Sequence, residues 1–449
     1  MTVRNIIRPA VGGTDLRVRL TNAYGDRPLH VGHVYVGVPS SGPALEAGSN
    51  RLLTFADDPE ITLAPGTTAL SDPLPGLVAA GRRLAITLYL RGPSGTLTGR
   101  NRATSPSLPS ERPGMPAYRS LPGDHAADES GAPFVEEATV WHWLDSLTVV
   151  PPAPVQVVAV LGDSITTGVG SESGQGWPDF LRLPVANDGI SGGKLLTAGP
   201  GHSAETRLTT EVLSKPGITT VIVQAGINDV GAGAQAEDLI AAYERMAVKA
   251  HAAGVRLIVG TLTPFEGAEY WTTERERTRQ KVNSFLRRSA TPHHRDAAPD
   301  LRCTTPGPQG ATSEHRSTTP ARQDVTIDRE EATAFHRQGA MLHRQRDASE
   351  TPPYAGRCQG DMSETSHSAE RCQGDTPETS HSAGRCQSDA FGRRGAPFDR
   401  LADFDAVLRD PACPTRLLPA YDSGDHLHPS TAGHRAMATA VDLRAPRPS

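Results

Sequence analysis

VQVVAVLGDSITTG (155–168) is the stretch whose reading decides the fold. Its first eight residues are almost unbroken apolar sequence ending on Gly162, the pattern of a strand buried on both faces. TTVIVQAG (219–226) and RLIVGTL (256–262) repeat that texture. Between them lies AEDLIAAYERMAVKAHAAG (236–254), where Leu239, Ile240, Tyr243, Met246, Ala247 and Ala250 recur at helical spacing and Gly254 is the stop. TERERTRQKVNSFLRRS (273–289) predicts a further helix. Strands alternating with helices in this way predict an α/β fold around a parallel sheet.

Upstream the texture differs. LRVRL (16–20), HVGHVYVGV (30–38) and RLAITLYLR (83–91) alternate apolar and polar residues, with Gly, Pro, Asp and Asn in the gaps. Residues 1–150 therefore read as an antiparallel β-sandwich accessory domain. Within it, 92–137 is rich in Pro, Ser and Arg and reads as a long loop, before VWHWLDSLTVV (140–150) returns to strand character. PPAP (151–154) is a short stiff linker. Residues 155–290 form the first part of the α/β domain.

Residues 291–395 contain only nine of Ile, Leu, Val, Phe, Tyr, Trp and Met. That is too little apolar surface to offset the entropy of ordering the chain, so the segment reads as a disordered insertion. RCQGD at 357 and 371 and RCQSD at 385 make a 14-residue repeat within it. Cys358, Cys372 and Cys386 recur there with His367 and His381, but structural zinc sites favour Cys pairs two to four residues apart, so no metal module is expected. The α/β texture resumes over 396–445, with FDRLADFDAVL (398–408) as strand and connection and STAGHRAMATAVDL (430–443) as a capped terminal helix.

With 449 residues, 44 Gly and 38 Pro, the chain is long enough for several domains and rich in turns. A net charge of −5 carries no basic footprint, which argues against nucleic acid as partner. No run approaches the ~18 apolar residues of a membrane span. The first twenty residues carry no signal-peptide pattern. Five cysteines, all in the last third, define no disulfide framework.

Chemistry concentrates at the carboxyl ends of the buried strands, where ligands bind in open α/β sheets. GDSITTG (162–168) puts Ser164 in a turn after the first strand. The same turn could be a helix cap or a phosphate loop, although no GK[ST] ending follows. DHLHP (425–429) supplies what a serine nucleophile lacks: Asp425 and His428, three apart, can form a carboxylate-oriented base. His426 with His428 could alternatively chelate a metal. GIND (226–229) places Asn228 at the sheet edge, and NDGISGG (187–193) places Gly192 in a tight turn with its N–H free. With the Ser164 N–H, these could form the donor set an acyl-transfer oxyanion needs.

The blocks GDS, ISG, GxND and DxxH, in that order, resemble the SGNH (GDSL-type) hydrolase family, and specifically actinobacterial-type esterases with an N-terminal β-domain. The resemblance implies a flavodoxin-like three-layer α/β fold, preceded by the β-sandwich and interrupted by the insertion. It implies Ser164 as nucleophile, His428 as base and Asp425 as its orienter, with Ser164, Gly192 and Asn228 as oxyanion donors and neither cofactor nor metal. The expected function is a serine esterase on short acyl esters of carbohydrate, the partner being a small-molecule or polysaccharide ester. Lipid-ester hydrolysis and a catalytically inactive carbohydrate-binding scaffold are the alternatives. Secretion follows from the resemblance alone. Glu269, Tyr270 and Trp271 are candidates to shape the substrate site, and Trp177 is assigned to the core.

Overall fold

The computed structural model describes residues 1–101, 116–138, 140–290 and 397–444. The N-terminal part is built from β1 (Thr2–Ile7), β2 (Thr14–Thr21), β3 (Leu29–Gly37), β4 (Arg51–Leu53), β5 (Ile61–Leu63), β6 (Thr68–Leu70), β7 (Leu84–Leu90), β8 (Gly99–Asn101), β9 (Ala117–Ser120), β10 (Phe134–Ala138), β11 (Val140–His142) and β12 (Leu144–Val150). One antiparallel sheet runs β10-β9-β1-β7-β3-β4, with β5 also on β3, and a second runs β12-β2-β6. Period-two patterning explains the packing: Leu16, Val18 and Leu20 of β2 turn inward to meet Val3, Val34, Ile86 and Leu88 of the facing sheet. The expected sandwich is present. The stretch expected as loop over 92–137 instead contributes β9 and β10, a pair hydrogen-bonded onto the β1 edge. Its few apolar residues, Ala117 and Phe134 among them, suffice because only one face is covered.

The parallel sheet comprises β13 (Val157–Gly162), β14 (Val185–Gly189), β15 (Ile218–Gln224), β16 (Arg256–Gly260) and β17 (Arg400–Ala402), in the order β14-β13-β15-β16-β17. That is a doubly wound order whose switch point lies between β13 and β15. Val158, Ala159, Val160 and Leu161 are fully buried, as their continuous apolar run requires. Among the described residues the α-helices are α1 (Ser164–Thr167), α2 (Ala204–Arg207), α3 (Ile227–Gly231), α4 (Ala236–Ala252), α5 (Thr273–Ser289), α6 (Phe404–Leu408) and α7 (Thr431–Thr439), the last two following β17. Helices α4 and α5 pack on one another, while α7 packs on α6 and on the turn Trp177–Phe180, giving two helical layers around the sheet.

WPDF is a single 3₁₀ turn with Pro178 in its first positions, and Trp177 is fully buried against the Phe404 ring at 5.0 Å. One element boundary differs from expectation. Helix α7 stops at Thr439, short of the expected 443. The chain leaves α5 and returns to β17 at adjoining points, since the Phe398 N–H donates to the Ser289 carbonyl (3.3 Å). The expected disordered insertion, 291–395, lies outside the described residues, as do its three repeat cysteines.

Candidate active site

The parallel sheet brings three strand ends to one edge. β13 runs into α1, where Ser164 is the first helical residue and Asp163 caps the helix through Ile165 N–H (3.0 Å). β14 runs into the turn carrying Gly192, and β15 into α3 with Asn228 in its first turn. From the far end of the chain, the loop between Pro419–Tyr421 and α7 carries Asp425 and His428 to the same place.

There the His428 ring bridges two partners. Its Nε2 lies 2.8 Å from Ser164 Oγ and its Nδ1 2.5 Å from Asp425 Oδ2. Asp425 Oδ1 accepts from the N–H groups of Leu427 (3.0 Å) and His428 (2.8 Å). Partial burial alone would raise this carboxyl, but the ring and the two N–H donors outweigh it and hold Asp425 far below the usual carboxylate range. A permanently ionised acceptor on Nδ1 keeps Nε2 free to take a proton from the hydroxyl. Gly170 makes the approach possible. At φ +86° it lies so close that an added Cβ would meet His428 Cβ at 2.7 Å and the Pro429 carbonyl at 2.9 Å.

The expected oxyanion donors surround the same edge. Gly192 has φ +74°, and among the described residues the N–H groups of Gly192 and Ser164 meet no acceptor. Asn228 spends one amide hydrogen on the Gly193 carbonyl (2.9 Å), leaving its second. The turn is tied down by Ile190 N–H to Gly162 O (3.0 Å) and by Thr167 Oγ1 with Ser191 Oγ (3.1 Å). His426 and His428 do not converge as a chelate: His426 Nδ1 pairs with Asp422 (2.6 Å), while both nitrogens of His428 are engaged. Among the described residues no group of three potential metal ligands occurs. Tyr270 packs its ring on Gly231 at the end of α3, so it stands beside the Asn228 helix, whereas Glu269 is exposed and Trp271 half-buried.

Three carboxylates that motif reading passed over act here. Asp163 is fully buried, and desolvation raises it to about 7 although Ile165 N–H and the nearby His428 oppose the rise. Asp229, beside Asn228, accepts from Leu195 N (2.6 Å) and Leu196 N (2.9 Å), pinning the segment that follows the Gly192 turn. Glu172 caps α7 through Thr431 N (2.8 Å) and Thr431 Oγ1 (2.5 Å), joining the loop after Ser164 to the helix after His428. The first two sit inside GDS and GIND and could have been found there. Glu172 offers no local signal, because its partner is 259 residues away.

A buried parallel sheet of flavodoxin-like order with a hydrogen-bonded serine and imidazole at its switch point is an arrangement suited to hydrolytic chemistry. Residues 160–320 match the GDSL-like lipase/acylhydrolase family, so the α/β part of the chain carries an esterase/acylhydrolase domain of that kind. No curated protein matches. Among solved structures, a candidate lipolytic protein of the G-D-S-L family from Desulfitobacterium hafniense is 13% identical, covering 64% of this chain and 97% of its own at a TM-score of 0.34. A candidate acylhydrolase from Bacteroides fragilis is 13% identical, with 64% and 84% covered and a TM-score of 0.33. The psychrotrophic esterase EstA from Pseudoalteromonas sp. is 17% identical, with 29% and 74% covered and a TM-score of 0.24. The family assignment rests on the sequence match. Among the described residues no helix is long and apolar enough to cross a membrane.

Proposed function

We propose that the chain hydrolyses short acyl esters of carbohydrate through an acyl-enzyme on Ser164. The observation that carries this reading is the unbroken hydrogen-bond chain from Ser164 Oγ through His428 to Asp425. Ser164 Oγ attacks the ester carbonyl as His428 Nε2 takes its proton, and Asp425 stabilises the imidazolium that results. The oxyanion accepts from the N–H groups of Ser164 and Gly192 and from the Asn228 amide. His428 returns the proton to the leaving alcohol, and a water repeats the sequence on the acyl-enzyme. A sugar as the alcohol suits the rim, where Ser191, Ser423, Asp425 and His426 are exposed and polar rather than apolar.

The test is turnover of p-nitrophenyl esters of increasing chain length and acetate release from acetylated xylan. Ser164→Ala is expected to lower kcat for the acetate ester at least about 10³-fold, and rates are expected to fall beyond short acyl chains. Equal turnover by wild type and Ser164→Ala would overturn the nucleophile and favour an inactive carbohydrate-binding scaffold. A rate rising with chain length, without acetate release from xylan, would make the substrate a lipid ester.

A further inference from the structure

Arg19 breaks the pattern of its strand. Its neighbours Val18 and Leu20 face the sandwich core, so Arg19 faces out, yet it is only 3% exposed. What covers it is the α/β part. Its guanidinium pairs with Asp145 of β12 (2.9 Å) and continues to Ser214 Oγ (2.7 Å) and the Glu211 carbonyl (3.4 Å). Lys215 closes the circuit, with Nζ at 2.8 and 2.9 Å from the two Asp188 oxygens, 2.9 Å from Glu211 O and 3.5 Å from Asp145. Arg207 Nε binds Glu211 Oε2 (3.1 Å) and Arg207 Nη2 binds the Asp188 carbonyl (2.5 Å). Tyr24, in the loop after β2, donates its hydroxyl to Glu211 Oε1 (2.6 Å). Three cations and three carboxylates from two modules thus balance, and none of the six side chains is more than 10% exposed. Buried charges tolerate such a position only as a closed set.

This set lies directly under the Gly192 turn. Asp188 is on β14, four residues before Gly192. The Tyr24 ring stacks on His202 (centroids 4.9 Å apart), and its hydroxyl stands 3.0 Å from where a Cβ on Gly201 would be. One residue back, Pro200 Cγ stands 3.2 Å from the corresponding position on Gly192. The loop 199–202 is therefore held between the sandwich and the turn. Burial and the neighbouring Glu211 charge raise Tyr24 far above the phenol range, so its proton stays available for donation.

We propose that Tyr24, together with the Arg19–Asp145 pair, is a positioning residue for the oxyanion turn, and that the N-terminal sandwich is half of that turn's mount. The proposal rests on the reading of Gly192 as an oxyanion donor. Tyr24→Phe in the full chain keeps the ring on His202 and removes only the donor to Glu211. It is expected to lower kcat for p-nitrophenyl acetate about tenfold with KM within about twofold, because small misplacements at a reacting centre act on the transition state. Amide hydrogen exchange over 188–196 is expected to quicken in the same variant. Val34→Ala, in the sandwich core away from this contact, is expected to lower Tm while leaving kcat at the wild-type value. Wild-type kcat in Tyr24→Phe, or an equal kcat loss in Val34→Ala, would overturn the proposal. Failure of the underlying reading shows separately, as undiminished turnover by Ser164→Ala, while the exchange rates report on the mount without any reference to catalysis.

Discussion

Asp163 poses the sharpest problem at the level of a single residue, because it is a fully buried carboxyl with one oxygen on Ile165 N–H and the other, among the described residues, without a partner. An ionised group there would be a buried charge held by one donor, so the protonated form is favoured and the carboxyl rises from 3.8 to about 7. Between those two values the folded chain holds a proton that the unfolded chain has released. Stability linked to Asp163 is therefore complete below about pH 4 and is lost as pH rises through about 7. Asp163→Asn keeps an acceptor for Ile165 N–H and abolishes the titration. The Tm of the variant relative to wild type is expected to climb steadily from pH 4 to pH 7, each unit of pKa difference being worth about 1.4 kcal/mol. A constant offset across that range, measured by thermal melts, would mean that Asp163 is ionised in the fold.

Among the elements, α5 shows how a helix far from the chemistry holds the architecture of the site's sheet. Its start is set by Thr272, whose side chain accepts from Arg275 N–H. Its inner face carries Arg279, which binds Glu276 (2.8 and 2.6 Å), the Leu262 carbonyl (2.9 Å) and Asp405 of α6 (2.5 Å). Arg287, in the last turn of the helix, binds Asp403 (2.8 and 2.7 Å) and Asp405 (2.6 Å). Replacing Arg279 by Met leaves Glu276 and the α6 carboxylate buried beside an apolar chain. Loss of a buried partner costs about 3–5 kcal/mol, so Arg279→Met is expected to lower the urea midpoint sharply with little change in slope. A midpoint equal to wild type would show that the ion cluster adds nothing net. Both ends of α5 and the buried strands were legible from sequence, because a capping residue and a continuous apolar run are local signals. That Ser164, Gly192, Asn228, Asp425 and His428 lie at one edge of the sheet was legible for the same reason, each marked by a short motif at a strand end or in a Gly/Pro-bounded loop. The strands β9 and β10 were not, since their pairing depends on β1, more than a hundred residues away. Nor was the buried cluster around Lys215, because Arg19, Asp145 and Asp188 look like surface charges until two modules close over them.

For the whole molecule, the order of the chain and the order of the fold part company at one place. α5 ends at Ser289 and β17 begins at Arg400, yet Phe398 N–H donates to Ser289 O, Ala290 and Phe398 form a parallel bridge, and Asp399 N–H donates to Leu257 O (3.0 Å). The fold thus closes across the two ends of the intervening segment without needing anything between them to span a gap. Arg279 and Arg287 on one side and Asp403 and Asp405 on the other then lock the closure. Loop-closure entropy grows only logarithmically, so replacing residues 291–396 by a Gly/Ser linker of about ten residues removes roughly three doublings of length, about 2 kcal/mol of closure entropy. The shortened chain is expected to melt no lower than the parent and to keep its esterase kcat, because Asp425 and His428 reach Ser164 from beyond the closure rather than through the segment. Thermal melts and p-nitrophenyl acetate turnover of the two chains side by side decide it. A shortened chain that folds with the parent's melting temperature but loses activity would place the segment in the working site; one that fails to fold would make it part of the architecture.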